Sequence, residues 1–169
     1  MRSIKRPFVY WAVPVVAALL AGCATAPVML GMVGPNPNVP PAYGTTDGHL
    51  EVYSARQRQH DDQEFDPAPA WYQHTDYVVC DSQGHPQRHV FNTTGHYSQS
   101  PATISLPPGK YIIQARAKDY LTVTVPVEIK PGQTTRVHLD GRWVPPTGTP
   151  AKELARTPGG SPIGWSDQS

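Results

Sequence analysis

Ala102-Thr103-Ile104-Ser105-Leu106-Pro107-Pro108-Gly109-Lys110-Tyr111, with the residues that follow as far as Leu139, carries the strongest pattern in the chain. Ala102, Ile104 and Leu106 alternate with Thr103 and Ser105. Beyond Pro108-Gly109, one face takes Tyr111, Ile113, Ala115 and Ala117, and the other takes Lys110, Gln114, Arg116 and Lys118. Lys118-Asp119-Tyr120 turns the chain. Leu121, Val123, Val125, Val127 and Ile129 then alternate with Thr122, Thr124, Pro126, Glu128 and Lys130, and Val137 and Leu139 close the series. Period-two alternation with one polar face is the pattern of antiparallel strands that cover a single core. Pro108-Gly109 and Pro131-Gly132 suit the central positions of type II turns, because proline presets φ and glycine accepts a positive φ. Pro126 cannot donate to a ladder, so its strand is expected at a sheet edge or at a bulge.

Working outward toward the N-terminus, His49-Leu50-Glu51-Val52-Tyr53 reads as a first strand. Arg56 to Pro69 reads as a polar loop, and Trp71 to Asp81 as a second extended stretch. Ser82-Gln83-Gly84 gives a turn and His89-Val90-Phe91 a return strand, which together make a hairpin. No helical period occurs between residues 45 and 143. The expected fold is therefore all-β, a seven-stranded antiparallel sandwich of immunoglobulin-like form over residues 47–143. Residues 144–169 are rich in Pro, Gly and Ser and read as a disordered tail, with one helical turn available at Lys152 to Arg156.

The other end of the chain is an address. Arg2, Lys5 and Arg6 precede an apolar run from Phe8 to Ala21, broken only by Pro14. The run is too short for a hydrocarbon core of about 30 Å and fits the apolar region of a signal peptide. A secretory cut near Ala24-Thr25-Ala26 is one way to end it. Leu20-Ala21-Gly22-Cys23 is another, because it resembles the lipobox of bacterial lipoproteins. In that family the leader, here residues 1–22, is removed before the cysteine, and the cysteine is acylated on its thiol and usually on its new amino group. The resemblance implies lipidation of Cys23 and a membrane partner reached through it. Two or more acyl chains, at about 0.8 kcal/mol per buried CH₂, make such anchoring stable. Ala24, rather than Asp, follows the cysteine, which in that family favours the outer membrane. Residues 23–46, with Pro27, Pro35, Pro37, Pro40 and Pro41, read as a stiff tether that holds the domain tens of ångströms from the bilayer, with Met29-Leu30-Gly31-Met32-Val33 as its one apolar patch, open either to rest on the bilayer or to pack on the domain.

Charge narrows the partners. Removing the leader takes three of the 14 basic residues and leaves 11 against 13 acidic ones, a formal charge of −2. A nearly neutral chain is poorly suited to phosphate backbones, so nucleic acid is not an expected partner. An envelope protein or glycan is. With Cys23 assigned to lipid, Cys80 has no partner for a disulfide, so no disulfide framework exists.

Leu106-Pro107-Pro108-Gly109-Lys110-Tyr111, the strands after it and Lys130-Pro131-Gly132-Gln133 resemble transthyretin-like or carboxypeptidase regulatory-like domains, and more loosely the PEGA domain, over residues 48 to 141. The resemblance implies a seven-stranded, prealbumin-like sandwich that serves as a spacer, adhesion module or accessory domain. It brings no catalytic residues, and the zinc domain linked to carboxypeptidase activity lies outside it.

Four clusters invite chemistry. Cys80 with His85, His89 and His96 offers thiolate and imidazole ligands for a transition metal, but no HExxH or HxxE pattern occurs, and Gly84 and Pro86 argue against a helix that would align His85 with His89. A metal-binding envelope protein built on these residues is the alternative to the leading reading. Asp61, Asp62, Glu64 and Asp66 lack the spacing of an EF-hand loop and read as solvated. Gly160-Ser161 lacks the G-x-S-x-G spacing of a nucleophile elbow. Trp71, Tyr72, Tyr77 and Trp143 offer an aromatic face for sugar or peptide, or else packing for the sheets. The expectation is a non-enzymatic, lipid-anchored module of the cell envelope, with no cofactor, no metal ligand and no catalytic residue assigned.

Overall fold

The stretch from Tyr120 to Ile129 forms the strand on which the larger sheet is assembled, its alternation broken by a register shift between Tyr120 and Val123 that leaves Leu121 exposed rather than on the core face. The computed structural model describes residues 27–59, 71–95 and 98–167. Among these the strands are β1 (Val28–Met29), β2 (Val33–Gly34), β3 (Gly48–Tyr53), β4 (Arg56–Gln59), β5 (Trp71–His74), β6 (Tyr77–Cys80) and β7 (Pro86–Val90). They continue as β8 (Thr103–Leu106), β9 (Gly109–Ala117), β10 (Tyr120–Ile129), β11 (Thr134–His138), β12 (Leu154–Arg156) and β13 (Pro162–Ser166). One sheet runs in the order β12-β13-β2-β10-β9-β6-β7, with β1 also paired to β10. A second runs β11-β3-β8, and β4 and β5 form a separate hairpin.

The fold is an all-β sandwich. Lys118-Asp119 closes the β9–β10 hairpin, and the register sets Val123 opposite Ala115 and Val125 opposite Ile113. These four side chains are buried, as are Tyr77 and Val79 on β6. The facing sheet contributes Leu50 and Val52 from β3, Ile104 and Leu106 from β8, and Val137 from β11. All join one continuous core. Leucine, isoleucine and valine at alternate positions fill it because each fully buried side chain stabilises by roughly 1.5–3 kcal/mol.

Several expectations need correction. The described residues hold thirteen strands rather than seven. Antiparallel pairing is not universal: β1 and β2 run parallel to β10, and β11 runs parallel to β3. Leu106 and Gly109 belong to different sheets, so Pro107-Pro108 is a corner between layers rather than a hairpin turn, and Gly109, at a φ of +157°, opens β9. Pro131-Gly132 does turn the chain, with Gly132 at φ +65° and Gln133 N donating to Lys130 O at 3.2 Å. A side chain at Gly132 would meet Ala42 O at 2.5 Å. Arg56 to Gln59, read as part of a loop, pairs with β5.

Pro126 lies on a strand with neighbours on both sides, which the edge rule does not lead one to expect. The ladder accommodates it by an interruption. β1 ends opposite Thr124 and β2 resumes opposite Val127, so no strand partner faces Pro126 on that side.

Both terminal segments are more folded than their composition suggests. Leu30 and Val33, within the stretch read as a tether, are buried along the free edge of β10. Pro35 bridges to Thr135, and Ala42 N donates to Gly132 O at 2.8 Å. The stretch read as a disordered tail forms the β12–β13 hairpin, which extends the larger sheet beyond β2. Its apolar residues are few, but Leu154, Ala155, Ile163 and Trp165 are all buried. The helical turn read at Lys152 to Arg156 is a single 3-10 turn over Ala151–Glu153, followed at once by β12.

Asn92 ties the layers at one end. It is fully buried, and its Nδ2 donates to Val52 O at 2.7 Å and to Ser54 Oγ at 3.1 Å. Its backbone N donates to Asp76 Oδ1 at 2.9 Å, and its Oδ1 accepts from Ala102 N at 3.0 Å. One residue thus holds the end of β3, the β5–β6 turn and the approach to β8.

Candidate functional site

The outer face of the β11-β3-β8 sheet is where chemistry gathers. Alternation turns Leu50 and Val52 inward and therefore His49, Glu51 and Tyr53 outward. The parallel register sets Arg136 beside Glu51 and His138 beside Tyr53. Arg136 Nε donates to Glu51 Oε2 at 2.8 Å, and Thr103 Oγ1 donates to Glu51 Oε1 at 3.1 Å. The Glu51 partnership holds the guanidinium firmly in its charged form.

Next to this ion pair the rings form a row. Tyr53 and His138 stack with centroids 4.5 Å apart. His138 and Trp143 stack at 4.8 Å with planes 7° apart, and Trp143 meets the edge of Trp165 at 6.3 Å. His74 packs edge-on against Tyr53 at 5.6 Å and directs Nδ1 to Ser54 O at 2.7 Å. A cleft of about 120 Å³ opens along the row, lined by Asn36, Thr134, Arg136, Trp143 and Trp165 among others. Burial within this stack lowers the His138 imidazole to about 4, and burial likewise lowers His74. Burial, with Glu51 nearby, raises the Tyr53 phenol. Near neutrality the row is therefore uncharged, with one guanidinium already paired at its side. Such a surface can stack against a flat or apolar ring face and offer hydrogen bonds at its rim.

The residues singled out in the sequence are distributed differently. Cys23 lies outside the described residues, as do His60, Asp61, Asp62, Glu64, Asp66 and His96. Cys80 is a free, fully buried thiol on β6, raised by burial and then by Asp81. Asp81 organises the next turn by accepting from the backbone N of His85 and of Gln83, both at 2.9 Å, and the His85 bond is the largest cause of its lowered pKa. His85 Nδ1 stands 3.2 Å from Asp81 Oδ2, whereas His89 is exposed on β7 against the edge of Phe91. Among the described residues no group of three or more His, Cys, Asp or Glu is placed to hold a metal.

The aromatic set also divides. Tyr77 is in the core, Tyr72 is exposed on β5, and Trp143 belongs to the row with Tyr53, His138 and Trp165. The side chain of Trp71 lies outside the described residues. Ser161 sits in the β12–β13 turn, where its N donates to Thr157 Oγ1 at 3.1 Å. Three members of the row, Tyr53, His138 and Trp165, went unread in the sequence. The first two share an outward parity that becomes informative only once β3 and β11 are known to be neighbours.

A second feature lies at the end of the sandwich where β9 turns into β10. Ala55 N donates to Arg116 O and Lys118 N donates to Leu139 O, both at 2.8 Å. These bonds bring the corner before β4 and the segment after β11 to the same place. The resulting hollow of about 450 Å³ is lined by Arg56, Tyr72, Arg116, Lys118, Leu121 and Arg142, together with Asp140. Comparison with protein-family profiles, characterised proteins and solved structures finds no match for this chain.

Proposed function

We propose that the chain is a lipid-anchored protein of the cell envelope, acylated on Cys23 at an outer membrane, whose sandwich acts as a non-catalytic binding module. The observation that carries this reading is Leu20-Ala21-Gly22-Cys23, which ends an apolar run that begins just behind Arg2, Lys5 and Arg6. A small β-sandwich agrees with the spacer and adhesion domains that its turn motifs resemble. Its ligand face is the Tyr53–His138–Trp143–Trp165 row, whose rings suit the apolar face of an envelope sugar while Arg136, Asn36 and Thr134 reach its hydroxyls. The metal-binding alternative is not carried forward, because Cys80 is enclosed while His85 and His89 are exposed on the hairpin beyond it.

The anchor is tested in cells fed a labelled fatty acid. The wild-type chain incorporates label and is shortened to start at Cys23, whereas Cys23→Ala takes up none and keeps its leader. Equal labelling of the two chains would refute the reading.

A further inference from the structure

The structure fixes where the chain enters the sandwich. Val28 pairs with Val123 on β10, running parallel to it, two residues along from Leu121. Cys23 precedes Val28 by five residues, which span at most about 18 Å even when fully extended. The long tether read in the sequence is therefore not available to separate the domain from a membrane, because Val28 to Gly34 is committed to the edge of β10.

The surface at this end is unlike the rest of a chain whose acids outnumber its bases once the leader is gone. Arg56, Arg116, Lys118 and Arg142 line one hollow with Asp140, and Asp119 stands in the adjoining turn. Arg116, Lys118 and Arg142 are exposed, and among the described residues none of the three is in an ion pair. Leu121 is 79% exposed and Tyr72 44%, so an apolar and an amphipathic side chain project beside the cations. Cations that attract headgroup phosphates, together with residues that enter the interface, are the composition of a membrane-contacting surface.

We propose that this end of the sandwich docks on the anionic phospholipid surface in which the lipid on Cys23 is embedded, with Arg116, Lys118 and Arg142 on headgroup phosphates and Leu121 at the interface. The domain then lies against the membrane with a fixed orientation, and the turn at Pro131-Gly132, at the far end of β10, points away. The inference rests on the anchor reading above and adds an orientation to it.

The test uses the lipidated mature chain in phosphatidylcholine vesicles made with and without phosphatidylglycerol. Leu121→Cys and, as a control, Tyr43→Cys carry an environment-sensitive fluorophore. Tyr43 is fully exposed, next to Ala42, which bonds to Gly132, and buried Cys80 stays unlabelled. Headgroup-quencher lipids should quench the fluorophore at position 121 several-fold more than at 43, and only in vesicles that contain phosphatidylglycerol. Combining Leu121→Cys with Arg116→Glu and Lys118→Glu should lower the docked-to-undocked ratio on the order of fivefold per cation lost. Equal quenching at both positions, or quenching indifferent to lipid charge and to the charge reversals, overturns the docking proposal while acyl mass on the purified chain leaves the anchor standing. A purified chain without acyl mass overturns both.

Discussion

His138 makes the sandwich sensitive to acid in a way that can be separated from its other titrations. Its imidazole stacks on Tyr53 and on Trp143, and burial there lowers it from the usual 6.5 to about 4. An unfolded chain binds a proton on this residue near its ordinary pKa, whereas the folded chain does not until about pH 4. Between those values the unfolded state holds more protons, so stability is fully present above about pH 6.5 and is lost as pH falls toward 4. A displacement of that size corresponds to about 3 kcal/mol for an enclosed ring, and solvent at the open edge of the imidazole reduces it to about 2 kcal/mol. The comparison is with His138→Phe, which keeps a ring in the row but cannot titrate. Urea unfolding followed by tryptophan emission, from about pH 7.5 down to about pH 4, should show the wild type losing about 2 kcal/mol more than the variant. His74, also lowered by burial, titrates in both chains and cancels. Parallel stability curves for the two proteins would refute the placement of His138 inside the stack.

Three other outcomes are expected. Asn92→Ala leaves Val52 O, Ser54 Oγ and Ala102 N without their side-chain partner, while Asp76 keeps the backbone N–H, and should lower unfolding free energy by roughly 2–4 kcal/mol in urea titration; a loss within measurement error would mean that water replaces the side chain. Gly164→Ala brings a methyl to 2.5 Å from Val33 Cγ1 and 2.8 Å from Arg136 O, so β13 must move, at roughly 1–3 kcal/mol and with a shift in Trp165 emission. Trp143→Ala should weaken binding of envelope glycan fragments roughly three- to tenfold, from the stacking lost, and unchanged affinity in a titration calorimeter would remove the aromatic row as the ligand face.

How much of this was legible in the sequence depends on the range over which each signal acts. The β9–β10 hairpin and the outward side of β3 could be read because alternation is local: a residue and its second neighbour report on one face. The β6–β7 hairpin was legible from the turn signal at Ser82-Gln83-Gly84, although its return strand runs over Pro86–Val90 rather than His89 to Phe91. Sheet membership was not. Pro107-Pro108 looks like a hairpin turn until Leu106 is seen to pair with Gly48 in one sheet and Gly109 with Ile129 in the other. Nor does a local pattern reveal that Thr134–His138 runs parallel to Gly48–Tyr53, with 80 intervening residues left to the topology. The row of Tyr53 and His138 depends on that long-range pairing, so composition alone could not assemble it.

Segments rich in proline and glycine failed for a different reason. Their low apolar content predicts disorder when each segment is weighed alone. Leu30, Val33, Ile163 and Trp165 do not need to form a core, however, because β10 already presents one with an unfilled edge. β2 lies between β10 and β13, with Val33 opposite Val127 on one side and Gly34 opposite Trp165 on the other. The C-terminal hairpin therefore joins the sheet through the two-residue strand β2. Gly164 makes this possible, since its missing side chain lets β13 lie against Val33 and the Arg136 carbonyl. Trp165, carried there, gives Trp143 an edge to pack on and completes the cleft. The first and the last of the described segments thus share one short strand, and loosening β2 would open the aromatic row as well as the edge of the core.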